Sequence, residues 1–199
     1  MKNDIIRHYD MLVKEGNDPV CDPPELQEYM NKWDGQTFID LLCLSRDKRV
    51  LEIGCGTGRI AVKVAPLVKS FCGIDFSPQT IITAKKHLPF ADTELICADF
   101  LSYKFDEAYD VIYSSLTFMH IKNKKSAMKK AFGLLLTGGR FVLSIGKSID
   151  TILDYGTRKI RVYPDTPGDT DKMLIQSGFS DIRKYETEFA YLFSALKAV

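Results

Sequence analysis

The stretch Val50–Ile60, V-L-E-I-G-C-G-T-G-R-I, decides the fold of this 199-residue chain. It opens on the end of an apolar run typical of a buried strand, and apolar residues recur at helical spacing after it. Between the two, glycines occupy positions 54, 56 and 58, where they permit positive φ and leave the backbone open to a ligand. The stretch therefore predicts a strand, a glycine turn and a helix whose free N–H groups face the turn.

Outward from this turn, apolar runs continue to alternate with helical patterns. One helix is expected to begin at Ser77-Pro78, and another to end at Gly138-Gly139. The predicted strands are Arg49–Ile53, Phe71–Asp75, Glu94–Ala98, Tyr109–Ser114 and Phe141–Ile145. Strands joined by crossover helices predict an α/β fold with a Rossmann-like, doubly wound, mostly parallel sheet and helices on both faces. Such a sheet binds its ligand at the carboxyl ends of the strands.

The flanking segments follow other patterns. Residues 1–44 indicate two or three helices, and residues 151–168 are difficult to assign beyond a short strand at Arg158–Tyr163. A helix is expected at Asp169–Gln176. Asp181–Thr187 and Phe189–Leu196 predict a closing antiparallel strand pair, because too few residues separate them for a helical crossover. The length favours a single domain overall.

The order of the glycines distinguishes between kinds of ligand. A dinucleotide turn, G-x-G-x-x-G, would place its third glycine at position 59, where this chain has Arg59. The pattern G-x-x-x-x-G-K-[ST] of nucleoside triphosphate sites is also missing from the stretch. A tight turn without a ligand is the plain alternative, although three alternating glycines after Glu52 exceed what a turn requires.

From Arg49 to Ile145 the chain resembles the class I S-adenosylmethionine-dependent methyltransferases. E-I-G-C-G-T-G at residues 52–58 matches the first motif of that family, and the later motifs follow in order. The resemblance implies S-adenosyl-L-methionine as cofactor and S-adenosyl-L-homocysteine as product. It also implies that residues 1–48 form a helical segment capping the cofactor cleft, and that residues 49–199 form the cofactor-binding methyltransferase domain.

The resemblance assigns the glycine turn to the methionine end of the cofactor. It implies contacts from the backbone around Gly54, Cys55, Gly56 and Gly58. It implies that Glu52 fixes the ammonium group, directly or through water.

The nucleoside end is assigned to the next strand ends. The resemblance implies that Asp75 accepts hydrogen bonds from both ribose hydroxyls and that Phe76 lies along the adenine. It implies that Asp99 binds the adenine amino group and that the Phe100 N–H binds a ring nitrogen, with the Ser114 region at the sulfonium. Without the resemblance, Asp75 also fits a surface residue or helix N-cap, and Asp99 an Asx turn.

Methyl transfer from a sulfonium is an in-line displacement, so the protein mainly positions the acceptor and excludes water. His120, shortly after the fourth strand, is the candidate to abstract a proton or orient the acceptor. Tyr9, in the leading helices, is the candidate to touch the substrate or the methionine carboxylate. The alternatives are a packed histidine at a helix start and a plain amphipathic helix.

The composition and the missing motifs limit the kinds of acceptor, metal and cellular location that we expect. A net charge of +1 and the lack of Asn/Asp-Pro-Pro-aromatic after the fourth strand favour a small-molecule acceptor over nucleic acid. Five cysteines without C-x-x-C spacing and only three histidines predict reduced thiols and no metal. No apolar run reaches bilayer length, so we expect a cytoplasmic protein without membrane association. The sequence leaves the acceptor atom and the oligomeric state open. The alternatives to a methyltransferase are a catalytically silent S-adenosylmethionine-binding protein and a nicotinamide-dependent oxidoreductase.

Overall fold

The structure, a computed structural model, describes residues 2–198. Its main sheet contains β1 (Arg49–Ile53), β2 (Ser70–Asp75), β3 (Thr93–Cys97), β4 (Tyr109–Ser115), β5 (Leu135–Gly146), β8 (Ser180–Glu186) and β9 (Ala190–Leu196). The strand order is β3-β2-β1-β4-β5-β9-β8. Strands β1 to β5 are parallel, and β9 runs antiparallel to both β5 and β8. The predicted Rossmann-like sheet with its antiparallel C-terminal pair is confirmed.

Seven α-helices accompany the sheet within the described residues. They are α1 (Lys2–Lys14), α2 (Pro24–Met30), α3 (Gly35–Leu41), α4 (Ala61–Val64), α5 (Pro78–His87), α6 (Lys124–Leu134) and α7 (Pro167–Ser177). Successive residues of a strand point to opposite faces, so Val50 and Leu51 of β1 join different apolar clusters. Both are fully buried because helices cover both faces. This accounts for the nearly continuous apolar character of the parallel strands.

Two helices differ from the sequence prediction. After the glycine turn, α4 has only one α-helical turn and continues as a 3₁₀ turn, because Pro66 has no N–H with which to extend the helix. The prediction that the next-to-last helix reaches Gly138-Gly139 is wrong, since α6 ends at Leu134. Lys197 Nζ donates to the carbonyl oxygens of Phe132 (3.0 Å) and Leu135 (2.6 Å) and so satisfies the helix end from a distant segment.

The segment between β5 and α7 forms a small hairpin of β6 (Ile152–Asp154) and β7 (Lys159–Arg161). Beyond the hairpin, the Tyr163 N–H donates to the Met119 carbonyl at 2.7 Å. Lys124 Nζ contacts the Asp165 carboxylate at 2.6 Å, and both side chains are buried. The segment is therefore attached to the turn that carries His120.

No helix among the described residues is long and apolar enough to cross a membrane.

Candidate active site

Two adjoining cavities lie at the carboxyl ends of the parallel strands. The larger has a volume of about 390 Å³ and the smaller about 190 Å³. Their walls share Gly54, Asp75, Phe76, Thr117 and His120, so they form one cleft with two lobes. A separate depression of about 500 Å³ lies at the amino ends of the strands, remote from the glycine turn. Ligand sites of parallel sheets lie at the carboxyl ends, so the two-lobed cleft is the candidate site.

The glycines of the turn serve different purposes. Gly54 has φ +76°, and a Cβ there would lie 2.2 Å from Thr117 Oγ1, so this glycine is required for packing. Gly56 has φ +54°, and a Cβ there would meet nothing within 4 Å, because it faces the open smaller lobe. Gly58 has φ +104° and lines neither lobe, and a Cβ there would lie 3.3 Å from Leu88 Cδ1. Only Gly56 meets the expectation that a missing side chain leaves room for a ligand.

Asp75 ends β2 at the boundary between the two lobes. Its carboxylate accepts hydrogen bonds from the N–H groups of Gly56 (3.0 Å) and Ser77 (2.9 Å). Burial raises the pKa of this carboxyl, and these backbone donors oppose the shift. The neighbouring Ser77, and not Asp75, caps α5, since Ser77 Oγ accepts from the Thr80 N–H at 3.3 Å. These hydrogen bonds hold the carboxylate in place in the wall of both lobes.

Glu52 lies in the smaller lobe with 3% of its surface exposed. Tyr113 Oη donates to its Oε2 at 2.9 Å. Burial, the largest cause, raises the pKa of Glu52 to about 8, and the nearby Asp75 and Asp34 carboxylates add to the shift. At neutral pH the side chain is mostly protonated, and a cation arriving beside it would favour its ionised form.

A cluster that the sequence analysis missed lies beside Glu52. Asp34 caps α3 and accepts from the Gly35 N–H (2.7 Å), from Ser115 Oγ (2.6 Å) and from both terminal nitrogens of Arg59. These donors outweigh burial and lower the pKa of Asp34. Arg59 is the only lysine or arginine among the described residues that line the smaller lobe. Asp34-Gly35 before a helix is a capping signal in the sequence, but no sequence pattern predicts that Asp34 contacts Arg59.

Tyr9 and His120 meet where the lobes join. Tyr9 Oη lies 2.7 Å from His120 Nε2, with the rings edge to face. Burial raises the pKa of Tyr9 and lowers the pKa of His120 to about 4. Both rings are therefore neutral at pH 7, and the tautomer of His120 decides which of the two groups donates the hydrogen bond. The other ring nitrogen, Nδ1, is buried and has no hydrogen-bond partner among the described residues.

The other predicted site residues are divided between the lobes. Phe76, Asp99 and Phe100 line the larger lobe, and Asp99 Oδ1 also accepts from the Leu101 N–H at 2.7 Å in an Asx turn. Cys55 is buried in the wall of the smaller lobe. Ser114 lines neither lobe, because its hydroxyl donates to the Ile53 carbonyl at 2.8 Å. Residues 115–117, which follow Ser114, line the smaller lobe instead.

Comparison with known proteins identifies relatives of the central part of the chain. Residues 51–143 match the family described as a methyltransferase domain. Malonyl-[acyl-carrier protein] O-methyltransferase of Bacillus anthracis is 31% identical over 98 residues, covering 48% of this chain and 36% of that protein. Phosphoethanolamine N-methyltransferase of Triticum aestivum is 32% identical over 111 residues, covering 54% and 22%. The matches thus span well under two thirds of these relatives.

Solved structures extend the likeness over most of the chain. The N-methyltransferase NodS from Bradyrhizobium japonicum, solved with S-adenosyl-L-homocysteine, has a TM-score of 0.68 at 18% identity, covering 94% of this chain and 97% of NodS. An S-adenosylmethionine-dependent methyltransferase from Mesorhizobium loti has a TM-score of 0.70 at 18% identity, covering 82% and 97%. At such identities the likeness establishes the fold. Residues 51–143 thus match a methyltransferase domain, and the chain shares the fold of solved S-adenosylmethionine-dependent methyltransferases.

Proposed function

We propose that this protein transfers a methyl group from S-adenosylmethionine to a small-molecule acceptor. The observation that carries the proposal is a two-lobed cleft whose smaller lobe is lined by the carboxyl groups of Glu52 and Asp75. Arg59, the only lysine or arginine lining it among the described residues, is paired with Asp34. The Asp75 carboxylate, joined by Glu52 once a cation beside it favours its ionised form, suits a ligand with a sulfonium and an ammonium group better than the diphosphate of a nicotinamide dinucleotide.

The residues present fit that cofactor. Adenosine would occupy the larger lobe beside Asp99 and Phe100, and Asp75 would accept from the ribose hydroxyls at the boundary. The ammonium end would lie near Glu52 in the smaller lobe. Thr57 Oγ1, buried in that wall near Asp18 without a hydrogen bond of normal geometry, offers a donor to the cofactor's carboxylate. When bound, the cofactor would supply an electrophilic methyl group.

Tyr9 and His120 are proposed to orient the acceptor rather than to remove its proton. A pKa of about 4 makes His120 a weak base at neutral pH. Its buried Nδ1 has no hydrogen-bond partner among the described residues, so a polar group of the methyl acceptor can form a hydrogen bond with it. The acceptor would therefore be a group that is already nucleophilic on arrival, such as a carboxylate or a neutral amine. The two curated relatives are named for O- and N-methyl transfer, so both atoms belong in the test.

Residues 1–48 are proposed to cap the cleft. Ile5 and Tyr9 of α1 line the lobes. Asp10 Oδ1 accepts from Ser77 Oγ (2.7 Å) and from the Gln79 N–H (3.0 Å), which attaches α1 to the start of α5. A cap held in this way excludes water from the methyl group during transfer. A cytoplasmic location remains part of the proposal and rests on the five free thiols.

The proposal is tested by turnover of methyl-labelled S-adenosylmethionine against carboxylate and amine fractions of a metabolite extract. Label in a small-molecule product, reduced at least tenfold by Tyr9→Phe and by His120→Asn, supports the proposal. The Tyr29→Phe variant, at a half-exposed tyrosine of α2, is the control and should be fully active. Cofactor binding without any labelled product would instead identify a catalytically silent binding protein. Stabilisation by NAD but not by S-adenosylhomocysteine would favour the oxidoreductase alternative.

A further inference from the structure

Three potential metal ligands meet outside the cleft, although the sequence predicts no metal. Asp18 and Cys21 lie in the connection between α1 and α2, and His87 is the last residue of α5. One carboxylate oxygen, the thiol sulfur and one imidazole nitrogen all lie within 4.8 Å of one another. Because His87 is distant in sequence from the other two, only the fold shows that they form a group.

The backbone presents the first two ligands on one side of a tight turn. The Cys21 N–H donates to the Asp18 carbonyl at 2.8 Å, and the Val20 N–H donates to Asp18 Oδ1 at 3.3 Å. The other oxygen, Oδ2, lies 2.7 Å from His87 Nε2. The carboxylate and the imidazole are each about one-fifth exposed, so both are partly shielded from solvent.

The donor set indicates the class of metal. A thiolate, an imidazole and a carboxylate together suit zinc, whereas magnesium and calcium take oxygen ligands. Metal–ligand lengths of about 2.0–2.3 Å place tetrahedral ligand atoms roughly 3.3–3.8 Å apart. Separating the Asp18 oxygen from the His87 nitrogen by about 0.6 Å and drawing in the Cys21 sulfur would meet that geometry.

We propose that Asp18, Cys21 and His87 bind one zinc ion, with a fourth position open to water. A hydrogen bond between Asp18 and His87 would account for two of the three groups, but it does not require the thiol beside them. The ion would join the α1–α2 connection to the C-terminal end of α5. Pro19, next to the first ligand, lines the smaller lobe, so the metal would fix one wall of the cleft.

The experiment uses the full chain, freed of metal with a chelator and studied without cofactor or acceptor. Zinc is titrated by calorimetry, and cobalt(II) is added separately as a spectroscopic probe. One zinc per chain and a thiolate-to-cobalt charge-transfer band are expected. Cys21→Ser and His87→Gln should each weaken zinc binding at least tenfold, and Cys21→Ser should abolish the band. Cys43→Ser, at another exposed cysteine, is the matched control and should change neither.

Three results would overturn the zinc site. They are the lack of stoichiometric zinc binding, unchanged zinc affinity in Cys21→Ser, and a cobalt spectrum without the thiolate band. Serine is close in size to cysteine and position 21 is exposed, so a folding failure is not expected to obscure the result. Circular dichroism of each variant checks this directly. Since neither methyl donor nor acceptor is present, the outcome is independent of the proposed transferase activity.

Discussion

Binding of S-adenosylmethionine should release a proton from Glu52. With a pKa of about 8, this side chain holds about 0.9 of a proton at pH 7. The cofactor's ammonium group, placed in the smaller lobe, would favour the ionised carboxylate. If the pKa falls below about 6 in the complex, nearly all of that 0.9 proton leaves for each cofactor bound.

The assay is isothermal calorimetry at pH 7 in buffers that differ in ionisation enthalpy. The slope of observed enthalpy against buffer enthalpy gives the number of protons exchanged. S-adenosylhomocysteine, which keeps the ammonium group, should release the same proton. Methylthioadenosine, which has no amino-acid part, should bind without releasing it. This difference would locate the proton at the methionine end of the cleft.

Glu52→Gln keeps an acceptor for Tyr113 but cannot ionise, so it should bind the cofactor without proton release. Glu28→Gln, at an exposed position of α2, is the control and should behave like the parent protein. Undiminished proton release in Glu52→Gln would refute the reasoning, because the proton would then come from another group.

The same shift predicts how stability depends on pH without cofactor. The native pKa of Glu52 lies above its ordinary value of 4.5, so the folded chain binds more protons between about pH 4.5 and 8. The contribution of Glu52 to the free energy of unfolding should therefore decrease as pH rises through this window, by at most about 1.4 kcal/mol per unit. Urea unfolding of Glu52→Gln should lack this contribution.

Three further substitutions test the cleft and its support. Asp75→Ala should weaken S-adenosylhomocysteine binding by about 1–3 kcal/mol in calorimetry, because ribose hydroxyls lose their acceptor, whereas the exposed Asp92→Ala should not. Gly56→Val should abolish S-adenosylhomocysteine binding, because the valine side chain would enter the smaller lobe. Its control is Gly138→Val, which is also at positive φ but lies at the far end of the sheet. This control should lower the free energy of unfolding and leave the affinity for S-adenosylhomocysteine unchanged. Lys124→Met should lower the free energy of urea unfolding by about 3–5 kcal/mol, because it leaves a buried carboxylate unpaired, and a loss under 1 kcal/mol would contradict this.

Local patterns predicted most of the sheet. Alternating strands and helices gave β1 to β5 within a few residues, except where β5 begins. The end of α6 was missed because its last carbonyl groups bond to Lys197, a contact between residues remote in sequence. The one-turn α4 was open to prediction from Pro66, which cannot donate the next helical hydrogen bond.

The candidate site was less accessible to sequence reasoning. Asp75 and Glu52 follow motifs with fixed spacing, so their places at strand ends were foreseeable. The pairing of Asp34 with Arg59, and the meeting of Tyr9 with His120, depend on how the N-terminal helices pack across the strand ends. No local pattern encodes that packing.

The close packing of Thr117 against Gly54 limits which substitutions this cleft can accept. The Thr117 carbonyl accepts from the His120 N–H at 2.9 Å, so the residue that fills the space beside Gly54 also begins the turn bearing the imidazole. Even one methyl group added at position 54 would displace both the Thr117 side chain and the turn that bears His120. The glycine turn and the His120 ring, which is proposed to orient the acceptor, are thus mechanically joined, and new substrate preferences should emerge more readily from the N-terminal helices than from this shared junction.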